Sequence, residues 1–180
     1  MPAADLKLDL RALKSTDNVK GLSCGDAAFL PLKIFFERSA KQFEGRSLAR
    51  TYVMREARNP RAIGYITLVC GVLEVEDGQP KIGDEPRYPY DEYPAIKIAR
   101  LFVDEGYRQS GAKIGSKLVD YGLGVAKDVI CPAVGCRFVV VEAKQQSIKF
   151  YEKKGFTFLN TATNRAKSEP IMFIDLYRAI

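Results

Sequence analysis

The stretch CRFVVVEA, Cys136 to Ala143, is a nearly continuous apolar run bounded by polar residues. An alternating, half-solvated strand does not read this way, so the run is predicted to be a strand buried at the centre of a sheet. Its flanks narrow the fold further. Upstream, AIKIARLFV (residues 95–103) alternates like a strand, then passes through a glycine-containing turn into a helix predicted over 114–129. A strand, a glycine turn and a helix form, in outline, a phosphate-binding arrangement. Downstream, a short helix is predicted over 145–154 and strands over 156–159 and 170–177.

Toward the N-terminus, residues 26–43 carry Phe29, Leu32, Ile34, Phe35, Phe36, Ala40 and Phe43 at helical spacing behind Gly25 and Asp26, which predicts an amphipathic helix. ARTYVMREA (49–57) and AIGYITLVCGVLEV (62–75), separated by Asn59-Pro60, are predicted to pair as a β-hairpin. Residues 76–94 hold Pro80, Pro86, Pro89 and Pro94 and are expected to form an exposed loop. This order predicts an α+β (mixed α/β) fold in which central strands alternate with helices. No Pro/Gly/Ser-rich linker divides the 180 residues, so a single domain over 1–180 is expected.

The chain has no histidine, which excludes Ser-His and Cys-His catalytic pairs and most zinc sites. Cys24, Cys70, Cys131 and Cys136 are scattered and read as reduced structural thiols. The first residues lack the apolar core of a signal peptide, and no apolar run approaches the roughly 20 residues that span a bilayer. A cytoplasmic protein without a membrane partner is expected. The net charge of +6 suits a polyanionic partner, either nucleic acid or a phosphorylated cofactor, and equally a solvated basic surface.

Two segments carry chemistry. In Tyr107-Arg-Gln-Ser-Gly-Ala-Lys-Ile-Gly-Ser116, glycines permit close backbone approach to a phosphate, the helix start offers unpaired N–H groups, and Arg108, Lys113 and Lys117 add charge. A plain strand-to-helix turn with basic surface residues is the alternative. Neither a P-loop nor a G-x-G-x-x-G fingerprint is present. The second segment, Ser147 to Phe156, follows the predicted strand ending at Glu142-Ala143. Taken alone, Tyr151 between Phe150 and Phe156 reads as an aromatic core residue.

Together these segments resemble the GNAT superfamily of N-acetyltransferases over residues 95–159. LFVDEGYRQSGAKIGSKLVDYGL is similar to its CoA-binding motif and FYEKKGF to its second motif. The resemblance implies a GNAT-like splayed mixed β-sheet flanked by helices, with acetyl-CoA as acetyl donor and no metal. It implies that Leu101, Phe102 and Val103 pair through their backbone with the pantetheine. Arg108, Gln109, Ser110, Gly111, Ala112, Lys113, Ile114, Gly115 and Ser116 would then hold the pyrophosphate. Tyr151 would be the general acid that protonates the leaving thiolate; a phenol with a reference pKa near ~10 does so only in a well-aligned step. The family pattern, Gln/Arg-x-x-Gly-x-Gly/Ala, admits two registers here. Either Lys113 replaces the final small residue, or Gly115 is that residue and the loop is two residues longer.

Ser23-Cys24-Gly25, the helix ending at Phe43, RTYVMREA and IGYITL also resemble the GNAT branch that acts as toxins in bacterial toxin–antitoxin pairs. That resemblance implies acetylation of the α-amine on aminoacyl-tRNA, an antitoxin partner and a possible homodimer. Lys33, Arg38, Arg46, Arg50 and Arg87 become candidate tRNA contacts, and Cys24 a buried small residue. The chemistry agrees: an α-amine near ~7.7 is already substantially neutral at cellular pH, whereas a lysine near ~10.4 needs a base to deprotonate it. No histidine can serve as base, and Glu142 is either a base or a salt-bridged strand-end residue. A small amine or protein N-terminus as acceptor, and a non-catalytic CoA-binding module, are the competing readings; Tyr151 argues against the latter.

Overall fold

A computed structural model of the chain describes residues 7–57, 59–74, 92–159 and 161–177. It begins with strand β1 (Leu8–Ala12), helices α1 (Leu30–Arg38) and α2 (Ala40–Gly45), and strands β2 (Arg50–Glu56), β3 (Ala62–Glu74) and β4 (Glu92–Val103). Helices α3 (Glu105–Arg108), α4 (Ile114–Val125) and α5 (Cys131–Val134) follow, then strand β5 (Phe138–Glu142). Helix α6 (Ile148–Glu152), strand β6 (Thr157–Phe158), helix α7 (Ala162–Arg165) and strand β7 (Ile171–Asp175) complete the order. The strands hydrogen-bond in the order β1-β2-β3-β4-β5-β7-β6, one mixed sheet of seven, so the α+β class read from the sequence holds. β4 and β5 are parallel, with Ala95 opposite Phe138 and Lys97 opposite Val140. Parallel neighbours cannot share a tight turn, which is why α3, α4 and α5 lie between them in sequence. By compactness the chain divides into unit 1, Met1–Val69 with Ala99–Gly122, and unit 2, Cys70–Ile98 with Leu123–Ile180; β3 and β4 run through both.

In unit 1, β2 and β3 form the expected antiparallel hairpin, and β1, a short charged strand that the periodicity did not reveal, pairs antiparallel with β2. Residues Ala62 to Leu68 of β3 are all buried, because helices cover both faces. On one face the Phe36 ring of α1 stacks on Tyr65 at 4.5 Å, and the Tyr65 hydroxyl donates to Leu32 O at 2.7 Å. On the other face α4 lies so close that a Cβ on Gly64 would sit 2.9 Å from Phe102 O and 3.1 Å from Leu118. Burial of such side chains contributes roughly 1.5–3 kcal/mol each. The helix expected over 26–43 is broken. Asp26 caps a 3-10 turn (Ala27–Phe29), and Ser39, at φ −121, ψ −27, separates α1 from α2. In one straight helix residues 35 and 43 would stand about 12 Å apart along the axis. The break at Ser39 lets the Phe35 and Phe43 rings meet edge-on at 5.3 Å.

In unit 2, β5 is the buried strand expected from CRFVVVEA: Phe138 through Val141 are buried. Antiparallel pairing to β7 sets Val140 opposite Phe173. The helix predicted to end at residue 129 instead continues through a π-helical turn (Ala126–Ile130) into α5, which tolerates Pro132 because a first-turn residue has no N–H to satisfy. Glu92, Tyr93 and Pro94, expected in a loop, begin β4; residues 76–91 of that expected loop, and Val75 at the end of the expected strand before it, lie outside the described residues. The sequence also did not reveal α7, where Thr161 accepts from Asn164 N and the buried Asn164 amide bonds Leu159 O, Ile171 O and Ile171 N.

Adding one methyl group at two glycines should therefore have opposite effects. Gly64→Ala is expected to destabilise the protein by about 1–3 kcal/mol, since backbone and packed side chains must move. Gly124→Ala, on α4 with nothing within 4 Å of the new atom, should be neutral or stabilise by up to about 1 kcal/mol. Denaturant titration of both variants measures this.

Candidate active site

The chain leaves β4 at Asp104, whose side chain is 3% exposed as a residue and accepts three hydrogen bonds. They come from Ser23 N at 2.8 Å, Gly106 N at 3.0 Å and Arg61 Nη2 at 2.5 Å. The Gly106 bond is the N-cap of α3. The next residue, Glu105, accepts from the Ser23 hydroxyl at 3.0 Å. Gly25 packs against that carboxylate at φ 63, leaving no room for a Cβ. Tyr107 donates its hydroxyl proton to Glu56 Oε1 at 2.5 Å, and this bond to a carboxylate pushes the phenol up to about 12. Arg108 donates Nε to Val103 O at 3.0 Å and lays its guanidinium 4.1 Å from the centre of the Phe29 ring. Each residue of this short helix is thus tied to a different part of unit 1. Sequence reasoning found none of these ties, because the partners stand 43, 51 and 81 residues apart and no local pattern marks them.

Beyond α3 the chain turns through Gln109 to Lys113. Ser110 donates its hydroxyl to Tyr107 O at 2.9 Å, Gly111 has φ 75, Ala112 is buried, and Lys113 has φ 52. Ile114 then buries its side chain and opens α4, with Gly115 and Ser116 half-buried in the first turn. All the residues expected to hold a cofactor, Leu101 to Val103 and Arg108 to Ser116, fall on this one strand-turn-helix of unit 1. The turn suits a polyanion. The first-turn N–H groups of α4 lack helical acceptors, Lys113 and Lys117 are exposed, and the terminal nitrogens of Arg108 have no partner among the described residues. Lys113, a side-chain-bearing residue, holds a left-handed backbone that costs about 1–2 kcal/mol for anything but glycine. Gly115 sits inside a regular helix.

Tyr151 lies on α6 in unit 2. It is 5% exposed, edge-on to Phe150 at 5.1 Å and to Phe156 at 5.4 Å, so the aromatic-core reading of this residue is correct as a description of its packing. Its hydroxyl has no hydrogen-bond partner among the described residues. Burial pushes the phenol well above its ordinary pKa, so the group keeps its proton at neutral pH. Glu142, the alternative base, is paired with Lys97 at 2.9 Å, the salt-bridged state of the two that the sequence allowed.

The candidate basic contacts differ among themselves. Lys33 pairs with Glu37 at 4.0 Å and Arg50 with Glu44 at 2.7 Å. Arg38 and Arg46 are exposed, with no partner among the described residues; Arg87 lies outside them. All four cysteines are free. Cys24 is half-buried, a correction to the expected full burial, because it packs on the edge of the unit 1 core through Ser23-Cys24-Gly25. Among the described residues, no helix is long and apolar enough to cross a membrane.

The chain belongs to the acetyltransferase (GNAT) family, whose model matches residues 31–156. That membership makes it an acetyl-CoA-dependent N-acetyltransferase. No curated protein matches it. Among solved structures it is similar to the toxin AtaT complexed with acetyl-methionyl-tRNAfMet, at 22% identity and TM-score 0.78 over 94% of this chain and 95% of that one. A tyrosine-to-phenylalanine mutant of KacT is similar at 23% identity and TM-score 0.78 over 95% of this chain and 96% of that one. A tyrosine-to-phenylalanine mutant of AtaT bound to acetyl-CoA and the C-terminus of the antitoxin AtaR gives 20% identity and TM-score 0.71 over 95% and 94%. These likenesses establish the fold.

The backbone at residue 113 generates a prediction about stability. Lys113→Gly relieves a left-handed side-chain clash that Lys113→Ala retains, and both lose the same charge. The glycine variant should therefore be the more stable of the two by about 1 kcal/mol, read from paired thermal or denaturant melts.

Proposed function

We propose that the chain transfers the acetyl group of acetyl-CoA to the α-amine of the amino acid on charged tRNA, as a bacterial toxin neutralised by an antitoxin protein. The observation that carries this reading is the likeness, over nearly the whole of both chains, to AtaT complexed with acetyl-methionyl-tRNAfMet. Exposed Arg38 and Arg46, without ion-pair partners among the described residues, offer positive charge to a phosphate backbone. A second copy of the chain as partner and a cytoplasmic setting belong to the same proposal.

Acetyl-CoA supplies an activated thioester. In this chain Leu101, Phe102 and Val103 are the strand residues whose backbone would run along the pantetheine, and Arg108 to Ser116 would hold the pyrophosphate. Of the two registers, the one ending at Lys113 is supported by that residue's φ of 52, a conformation that a glycine at the end of the pattern would adopt without strain. Lys113 then adds a charge where the family pattern has none. Tyr151 Oη holds a proton at neutral pH and releases it to the departing sulfur, while the acceptor nitrogen loses one, so the proton count balances. An α-amine with a substantial neutral fraction at cellular pH can attack without a dedicated base, in keeping with a chain that has no histidine and whose Glu142 is occupied by Lys97.

Tyr151→Phe removes the proton donor and leaves the ring packing in place. Turnover should fall by roughly ten- to ten-thousand-fold, with acetyl-CoA affinity within about twofold of wild type. Calorimetry and steady-state rates separate the two quantities; unchanged turnover would return Tyr151 to a purely structural role.

The acceptor is tested with labelled acetyl-CoA and total charged tRNA, followed by mild alkaline deacylation. Recovery of an N-acetylated amino acid, with uncharged tRNA unlabelled, is the expected result. Arg38→Glu with Arg46→Glu should raise KM for charged tRNA, and added salt should weaken the wild-type interaction steeply. Label appearing only on small amines or protein N-termini would overturn the acceptor assignment.

A further inference from the structure

The segment Cys131-Pro-Ala-Val-Gly-Cys136 forms α5 and its stop signal. Gly135 adopts φ 60, ψ 51, and its N–H donates to Cys131 O at 3.0 Å, the single bond of a left-handed helix cap. A cap of this kind folds the chain leaving the helix back over its last turn, where two apolar side chains ordinarily meet. Here the two residues brought together are both cysteines. The Cys131 thiol touches Cys136 O, and the Cys136 thiol lies 3.7 Å from both Pro94 O and Phe138 O. Both line a cavity of about 380 Å³, with Lys127, Arg137 and Tyr177 on its wall. Arg137 is held by Asp175 at 2.8 Å, and Lys127 is exposed at the rim. With the Cys131 sulfur already against the backbone of residue 136, a change of side-chain rotamers across this short turn can bring the two sulfurs together.

We propose that Cys131 and Cys136 form a redox-modification site, oxidised to an intramolecular disulfide by a low-molecular-weight disulfide that carries carboxylates. Lys127 favours an anionic reagent at the rim. Cys131, half-buried where Cys136 is buried, is the entering sulfur. Its thiolate attacks one sulfur of the small disulfide, forms a mixed disulfide and releases one small thiolate. Cys136 then loses its proton and attacks Cys131 Sγ, and the second small thiolate leaves. Two protein thiols are oxidised, one small disulfide is reduced, and both protons end on the released thiols. Burial holds both protein thiols above their ordinary range, Cys136 at about 11, which slows the first attack at neutral pH. The second attack is intramolecular and is favoured by the contact that the cap imposes.

The full-length protein, native, is incubated with oxidised glutathione, its remaining thiols are alkylated, and it is digested with trypsin. Cleavage after Lys127 and Arg137 releases one peptide, 128–137, that contains both cysteines. The expected product is that peptide without alkyl groups, lighter than its reduced form by about 2 Da, and restored by dithiothreitol. Cys136→Ser should instead accumulate one glutathione on residue 131. A doubly alkylated wild-type peptide would overturn the proposal. So would glutathione retained on wild-type Cys131, or a cross-link to the peptide bearing Cys70. The wild-type map needs no variant, so it decides the matter even where Cys136→Ser fails to fold.

Discussion

The arrangement of unit 1 around the glycine turn between β4 and α4 depends on one buried carboxylate. Asp104 sits where β4 ends, takes a guanidinium and two backbone N–H groups, and so turns three remote segments into neighbours. Hydrogen bonds to a charged group contribute about 1.5–3 kcal/mol each, and a buried carboxylate stripped of them carries its full desolvation cost. A four-residue helix such as α3 has no independent stability in water. Asp104, Glu105, Tyr107 and Arg108 supply from the side what its backbone cannot. The turn from Gln109 to Lys113 inherits its position from that anchoring.

Close packing sets the other wall of the turn. Gly64 admits α4 to van der Waals contact with β3, and Ile114 and Leu118 fill the space its missing side chain leaves. With the start of α4 held this tightly, the last loop residue has little freedom to relax. Lys113 accepts a left-handed backbone there and keeps its charged end in solvent. Strain of this kind persists only where the surroundings over-determine the conformation.

The chemistry asked of an acetyltransferase is modest, and these residues match it. The turn before α4 offers unpaired N–H groups and lysines that suit a polyanionic donor, and a phenol buried among aromatic rings stays protonated because burial disfavours its anion. Histidine is absent, and Glu142, the carboxylate weighed as a base, is engaged by Lys97. An acceptor amine with a substantial neutral fraction suits such a site.

Where a signal is local, the sequence carries it. The unbroken apolar run of β5, the alternation of β4, the hairpin of β2 and β3, and the glycine turn leading into α4 were each legible, since hydrophobic period and backbone permissiveness are properties of neighbouring residues. So was the family, through the two motifs around residues 101–119 and 150–156. The break at Ser39, the strand start at Glu92, and the helices α3 and α7 were not, because side-chain contacts that form only on folding decide them: Phe35 with Phe43, Tyr93 with Phe138, Asp104 with Arg61, and Asn164 with Ile171. Sequence alone determined the class of fold and the family, and it singled out the glycine turn before α4 and Tyr151 as the candidates for phosphate binding and proton donation. Only the tertiary structure decided which of Lys113 and Gly115 bears the left-handed turn, which carboxylates are occupied and which arginines face solvent. Some of those outcomes depend on partners 43 to 81 residues away, as at Asp104, and burial and ion pairing exist only once the folded chain has brought partners together.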